Sequence, residues 1–158
     1  MADGATILMT ATILPDEIQK KLTGLSVTVS PATANEKWFY GLVNVTTTSA
    51  DLIGGKFLSA AAGTDTGSTP ADIAAGDKVR FIFIKNTDTT DSLYLVLDGS
   101  TVAHSSTNAI EIGPGESWFA KFNGATTADI HCISGQKAGA GTGGNKIQTI
   151  VAAIIDDV

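Results

Sequence analysis

The sequence predicts an all-β protein, specifically a jelly-roll-like antiparallel β-sandwich with an extended N-terminal strand or arm. Charged residues make up only 16% of the 158 residues, against about 25% in a typical soluble domain. Thr, Ser, Asn and 17 Gly replace them, and these residue types favour strands and turns. About ten short strand-like segments follow one another at the spacing typical of a sandwich or barrel. No segment predicts a helix long enough to connect parallel strands.

Residues 1–23 are expected to form the arm, and residues 24–158 the sandwich, of a single domain. Ala-Thr-Ile-Leu occurs at 5–8 and again at 11–14, and the even offset places both copies on the same faces of a strand. Pro15 ends that strand. The pairs Asp16-Glu17 and Lys20-Lys21 then predict one short helical turn, because their charges complement its dipole.

The sandwich strands follow from alternation and turn signals. Residues 25–29 alternate with period two, which predicts a half-buried strand, and residues 78–85 are apolar on both faces, which predicts a central strand. Gly113-Pro114-Gly115 predicts a type II turn, and residues 61–77 and 135–144 read as long connections. The other predicted strands are 37–48, 56–60, 92–97, 109–112, 117–122, 130–134 and 146–155.

Composition excludes several classes of function. A net charge of −6 argues against nucleic acid as a partner, because phosphate binding needs a basic face. The longest apolar run, 150–155, is far shorter than the ~20 residues that span a bilayer, so no membrane partner is expected. Cys132 is the only cysteine, which leaves no intrachain disulfide and no Cys-based zinc site. No basic residue precedes Lys20, so we expect no signal peptide and synthesis in a reducing cytoplasm.

Two short motifs match enzyme signatures, but their surroundings do not. Residues 139–144 fit the dinucleotide fingerprint G-x-G-x-x-G, yet a strand-like segment follows where that motif requires a crossover helix. Residues 65–68 copy the aspartic-protease tetrapeptide Asp-Thr-Gly-Ser. That family places its aspartates after hydrophobic strands in two halves, whereas here a single copy lies in a loose segment.

The remaining polar residues also have structural explanations. His131 and Cys132 are adjacent on a predicted strand, so they lie on opposite faces and cannot form a catalytic dyad. His104 is expected in a solvated loop. Asn86, Asp88 and Asp91 have oxygens that suit calcium, although Asx residues are equally typical of turns. We therefore predict no catalytic residues, no cofactor and no metal, and a chain that is not an enzyme.

Candidate interface residues come from two regions. Trp38, Tyr40 and Trp118 lie on predicted strands, and aromatic residues of this kind are enriched at subunit interfaces when they are not in the core. The Thr-rich N-terminal strand supplies further apolar residues for contacts: Ile7, Leu8, Ile13 and Leu14.

A resemblance covers most of the chain. It is carried by Lys-Trp-Phe-Tyr at 37–40 and by segments 48–53, 76–88, 113–114, 118–121, 128–131 and 151–158. In overall pattern the chain resembles the small virion structural proteins of tailed bacteriophages, especially marine cyanophages. The resemblance implies a virion component without enzymatic activity.

Physical considerations favour one position in the particle. A compact acidic all-β module without coiled-coil heptads suits a symmetric lattice. We expect a capsid decoration (cement) protein on the outer surface of the assembled head, with the major capsid protein as partner. Homotrimers are favoured, with contacts from residues 1–14 and 61–77. The alternatives are a neck, tail or fibre-associated adaptor, or a glycan-binding host-adsorption module in which Trp38 or Trp118 stacks on sugar.

Overall fold

The computed structural model describes residues 5–13, 20–29, 36–46, 48, 50–58, 72–97, 109–126, 130–134 and 146–157. Its regular elements are ten strands and no helix within those residues. They are β1 (Ala5–Ile13), β2 (Lys20–Val29), β3 (Glu36–Val45), β4 (Ala50–Asp51), β5 (Lys78–Asn86), β6 (Leu93–Val96), β7 (Ile110–Ile112), β8 (Ser117–Thr126), β9 (His131–Ser134) and β10 (Ile147–Asp156). The chain forms two compact units, Met1–Ala32 and Thr33–Val158.

The N-terminal unit is an antiparallel hairpin of β1 and β2. Its register runs from Ala5 opposite Val29 to Ile13 opposite Lys20, with an irregularity after Met9. The expected helical turn is wrong at Lys20 and Lys21, because these residues pair with β1 and so gain ladder hydrogen bonds that one isolated turn cannot match. The predicted strand at 25–29 is present as part of β2, and its partner is β1.

The second unit has the strand order of a jelly roll. One four-stranded sheet, called the first sheet, has the order β3-β10-β5-β8. The other, called the second sheet, has the order β4-β9-β6-β7. The strand pairs of the unit are nested in sequence: β3 with β10, β4 with β9, β5 with β8 and β6 with β7, all antiparallel. This is the arrangement produced when a long folded ribbon of strands wraps into two facing sheets. The predicted fold class is therefore confirmed.

Most of the predicted strands are observed within a few residues. The predicted central strand, β5, lies between β10 and β8. The predicted strand at 56–60 is wrong for residues 56–58, where Lys56 forms an isolated bridge to Asp72, and residues 59–60 lie outside the described residues. The short strand in this region is β4. The type II turn is confirmed: Glu116 N donates to Gly113 O at 3.0 Å, and Gly115 has φ 73°, a value that favours glycine.

The core lies between the two sheets of the sandwich. Alternate residues of β5, β6 and β10 point into it and are fully buried, and each such aliphatic side chain contributes about 1.5–3 kcal/mol relative to an exposed one. The first sheet also contributes Phe39, Val43 and Val45 of β3 to the core. The buried residues of the three strands are Val79, Ile82, Ile84, Leu93, Leu95, Ile147, Val151, Ala153 and Ile155.

Candidate interaction surface

The outer face of the first sheet, directed away from the core, is unusually apolar. Because side chains alternate along a strand, the inward positions of Phe39 and Val43 place Trp38, Tyr40 and Leu42 on this face. The strand register aligns three rows of four residues across the sheet. They are Trp38-Ile154-Phe81-Lys121, Tyr40-Ala152-Phe83-Phe119 and Leu42-Ile150-Lys85-Ser117. An antiparallel sandwich commonly carries polar residues in such positions.

The exposed large apolar side chains of the outer face lie on β3, at the margin of the sheet. Ile154 and Phe81 are buried, at 0% and 4% exposure, and the Phe81 and Phe119 rings pack with their centroids 6.4 Å apart. Tyr40 and Leu42 are 59% and 58% exposed. Large apolar side chains that are exposed side by side are typical of interaction sites. The accessible part of this apolar face is therefore its β3 side.

One ion pair lies at a bulge next to this face. Arg80 has no opposite residue in the register of either neighbouring strand. On β10, Ile154 pairs with Phe81 and the next residue, Ile155, pairs with Val79. The register with β8 shifts at the same place. Arg80 Nη2 lies 2.9 Å from Asp156 Oδ2, with the two side chains 33% and 12% exposed. The pair neutralises a charge that would otherwise be partly desolvated beside apolar residues.

The three candidate aromatic residues do not form a common surface. Tyr40 is exposed, and Trp38 is half-buried on the same outer face. Trp118 is half-buried on the opposite face, where it packs against the core and pairs with inward-facing Ile84. No single groove on the sheet can therefore hold both tryptophans.

The N-terminal candidates are only partly described. Ile7, Leu8 and Ile13 lie in β1, and only the backbone of that strand is described. Leu14 lies outside the described residues, as do Asp65, His104 and residues 139–144. His131 and Cys132 are successive residues of β9, opposite Asp51 and Ala50, as the adjacent-strand interpretation requires.

Sequence reasoning missed Leu42, Phe83 and Ile150 as members of the outer face. The signal was present in residues 78–85, whose apolar residues occupy both faces of the strand. That pattern predicts a central strand, and it equally predicts an apolar outer face. The extent of the face depends on which residues the register aligns, and the sequence alone does not give that register.

The Asx-rich loop after β5 is held by hydrogen bonds to the protein itself. Asn86 is fully buried, and its Nδ2 group donates to the carbonyl oxygens of Asp91 at 2.8 Å and of Ile112 and Gly113 at 3.1 Å. Its Oδ1 accepts from Asp88 N at 2.9 Å. Asp88 Oδ1 in turn accepts from the backbone N–H groups of Thr90 and Asp91. These residues therefore organise turns.

Searches for other chemistry cover the described residues only. Among them, no three His, Cys, Asp or Glu side chains gather in a way that could hold a metal ion. Within the same ranges, no helix is long and apolar enough to cross a membrane.

Residues 55 and 56 contact residues 72 and 73, which lie shortly before β5. Lys56 forms a backbone bridge to Asp72, and its Nζ lies 2.7 Å from Asp72 Oδ1. Ile73 N also donates to Gly55 O at 2.9 Å. Residues on either side of 59–71, a range that lies outside the described residues, are thereby held together.

Comparisons with known proteins give structural likeness only. No protein family matches the sequence, and no curated protein does. The coat protein of Tobacco streak virus aligns at TM-score 0.44 and 10% identity over 81% of this chain and 90% of that one. A dimer of that coat protein aligns at TM-score 0.44 and 13% identity over 80% and 89%. The capsid asymmetric unit of cyanophage Pam1 aligns at TM-score 0.30 and 19% identity over 78% and 86%.

Proposed function

We propose that this chain is a non-enzymatic virion structural protein of a tailed bacteriophage, acting as a decoration (cement) protein on the outer surface of the assembled head. The observation that carries the proposal is the apolar outer face of the first sheet, with Tyr40 and Leu42 exposed at its margin. A surface of this kind suits association with other proteins.

The resemblance of residues 37–40 and 76–88 to small phage virion proteins gives the proposal its biological setting. The jelly roll agrees with it, because capsid proteins commonly use this fold. Lectins and cupins use the same fold, so the fold alone does not assign a function. Net charge of −6 favours a protein partner over the packaged nucleic acid.

The mechanism is stabilisation by selective binding. A protein that binds the mature shell, and not its precursor, shifts the equilibrium towards the mature shell by RT ln(1 + [L]/Kd). This amounts to about 2.7 kcal/mol per site at a free concentration of 100 Kd. The partner is the major capsid protein, and residues 1–14 and 61–77 supply contacts to the shell and between copies at threefold positions. Repetition over a symmetric lattice multiplies the effect.

The first experiment measures the copy number of this chain relative to the major capsid protein in purified virions, by quantitative mass spectrometry. A lattice decoration gives a ratio on the order of one half to one. A ratio many times smaller overturns the decoration role and assigns the protein to the neck, tail or fibres. Absence from the particle overturns any virion role.

A second experiment tests the mechanism with heads that lack this protein. Adding the purified chain should raise the temperature at which DNA is released, and the increase should saturate with concentration. Precursor shells provide the control and should not bind the chain. Equal binding to both shell states would contradict selective stabilisation.

A further inference from the structure

The described sheet edges of the sandwich differ in how they are protected from pairing. An edge strand exposes unpaired N–H and C=O groups, and proteins usually protect it by short length, charge, proline or a bulge. At the edges of the second sheet, β4 has two residues and β7 has three. At one edge of the first sheet, β8 has a register irregularity and carries Lys121. Each of these three edges therefore has a protecting feature.

The remaining edge, β3, has none of these features from residue 38 to residue 45. The strand is ten residues long and pairs with β10 along its whole length without a register shift. Residues 38–45 contain no charge and no proline. Their exposed members include Tyr40 and Leu42, at 59% and 58% exposure. A long, regular, apolar edge of this kind is a template for a further strand.

One hydrogen bond defines which part of the edge is open. Trp38 O accepts a hydrogen bond from Leu58 N at 2.8 Å. The backbone N–H and C=O groups of Trp38 therefore point away from β10, and its C=O group is already bonded. Because alternate residues of an antiparallel strand direct their N–H and C=O groups to the same side, Tyr40, Leu42 and Asn44 present theirs to this edge. Within the described residues, no backbone group bonds to them there. Among the described residues, the open segment of this edge is therefore 40–44, and its midpoint is Leu42.

We propose that residues 40–44 pair antiparallel with the same residues of a second copy, across a twofold axis at Leu42. Leu42 then lies opposite Leu42 of the partner subunit, and Tyr40 lies opposite Asn44 of the partner subunit. Every open ladder group from 40 to 44 gains a partner, and the pairing ends before Trp38 on both strands. The two first sheets become one continuous sheet with a continuous apolar outer face.

A second copy suits this edge better than an unrelated strand. The backbone N–H and C=O groups that face this edge are arranged symmetrically on either side of Leu42, as an isologous interface requires. It carries no charge that would select a partner of complementary sign. Exposed Leu42 and Tyr40 gain burial in both copies at once. The pairing uses neither residues 1–14 nor 61–77, so it is a separate contact from the threefold contacts proposed for those segments, and it does not depend on where in the particle the protein lies.

Disulfide cross-linking tests the pairing directly. In a chain carrying Cys132→Ala, Leu42→Cys places two thiols on directly opposed residues about 5.5 Å apart at Cα, within the range that a disulfide bridges. Leu97→Cys in the same background is the matched control, because Leu97 is also exposed, at 38%, and lies outside β3. Mild oxidation should yield a covalent dimer from the Leu42→Cys chain only. Cross-linking of the Leu42→Cys chain no greater than that of the control overturns the proposal.

Mass in solution gives a second, independent readout. Leu42→Lys places like charges opposite each other across the axis, which destabilises a strand pair, while Leu97→Lys adds the same charge elsewhere. Light scattering should show that Leu42→Lys halves the mass of the wild-type assembly and that Leu97→Lys leaves it unchanged. Circular dichroism checks that both variants are folded. A monomeric wild type, or an undiminished mass for Leu42→Lys, contradicts the pairing whatever the result of head binding.

Discussion

The ring of Phe39 lies against Gly41, two residues further along β3 on the same inward face. A β-carbon at Gly41 would lie 2.9 Å from Phe39 Cζ, closer than van der Waals contact allows. Glycine normally weakens a strand interior, but it is favoured where another group approaches the backbone closely. Here that group is a ring that is itself 6% exposed and packed in the core.

Gly41→Ala should therefore destabilise the sandwich by about 1–3 kcal/mol, the usual cost of overpacking, although alanine suits a strand better than glycine does. Urea unfolding measures the change. The same substitution in a Phe39→Leu background should cost less, because the shorter side chain leaves room for the methyl group. Equal costs in the two backgrounds would show that the Phe39 ring is not the cause.

Asn86→Ala should be among the most damaging single changes. It removes the side-chain donor to the buried carbonyl groups of Ile112 and Gly113 and to the partly buried carbonyl group of Asp91. Gly113 O keeps its bond from Glu116 N, but each buried group left unsatisfied costs about 1–3 kcal/mol. Asn123→Ala is the matched control, since Asn123 is an exposed residue of β8 and should change stability by less than about 0.5 kcal/mol. Similar thermal midpoints for the two variants would contradict the role given to Asn86.

The two ion pairs should differ in their contribution to stability. Asp156→Ala leaves Arg80 partly desolvated without this partner and should cost about 2 kcal/mol. Asp72→Ala breaks a pair whose side chains are 51% and 80% exposed and should cost less than about 1 kcal/mol. Thermal unfolding at low and high salt separates them, because salt screens the exposed pair more strongly. A larger loss for Asp72→Ala would reverse this interpretation.

Deleting residues 1–32 should leave the sandwich folded, because the chain divides into compact units after Ala32. This deletion is preferable to removing residues 1–14, which would take β1 away from β2. Binding to heads should be lost if the N-terminal segment supplies the proposed contact. Unchanged binding would refute that role, and loss of the circular dichroism signal of the sandwich would refute the independence of the second unit.

Replacing residues 60–70 by a short Gly-Ser linker should hardly change the thermal midpoint. The bridge between Lys56 and Asp72 already holds the two ends together, and halving a loop changes its closure free energy by only about 0.6 kcal/mol. Head binding should fall if this segment contacts the shell. A scrambled segment of the same composition is the control, and equal binding by all three chains would remove the segment from the proposed interface.

The sequence predicted the strands of the sandwich better than it predicted their partners. Residues 78–85 had a pattern strong enough to locate β5 and its central position, and Pro114 and Gly115 specified their turn. Residues 25–29 were correctly predicted as a strand, but their alternation does not say whether they pair with β1 or enter the sandwich. The prediction of a strand at Lys56 is wrong because the β-like residues Phe57 and Leu58 that follow it favour a strand, whereas Lys56 forms an isolated bridge to Asp72.

Less of the candidate site could be predicted. Tyr40 and Trp38 were selected as aromatic residues on a strand, and that reasoning could not distinguish them from Trp118, which packs inward. The difference depends on register, because moving a residue by one position transfers it to the other face. The open edge at 40–44 depends in addition on the bond from Leu58 to Trp38, which joins segments that no local pattern connects.

The nested strand order also has a consequence for biosynthesis. β10 lies between β3 and β5, and Val45 is paired with Ile147, so the first sheet cannot assemble until residues 147–156 have been translated. Until then β3 and β5 lack the strand that joins them, and apolar residues of both strands are exposed to the surrounding solution. Pairing over such a sequence distance is slow, and unpaired edges are prone to aggregation while it proceeds. We expect recombinant yield to depend on chaperone supply and growth temperature more than on the stability of the finished sandwich.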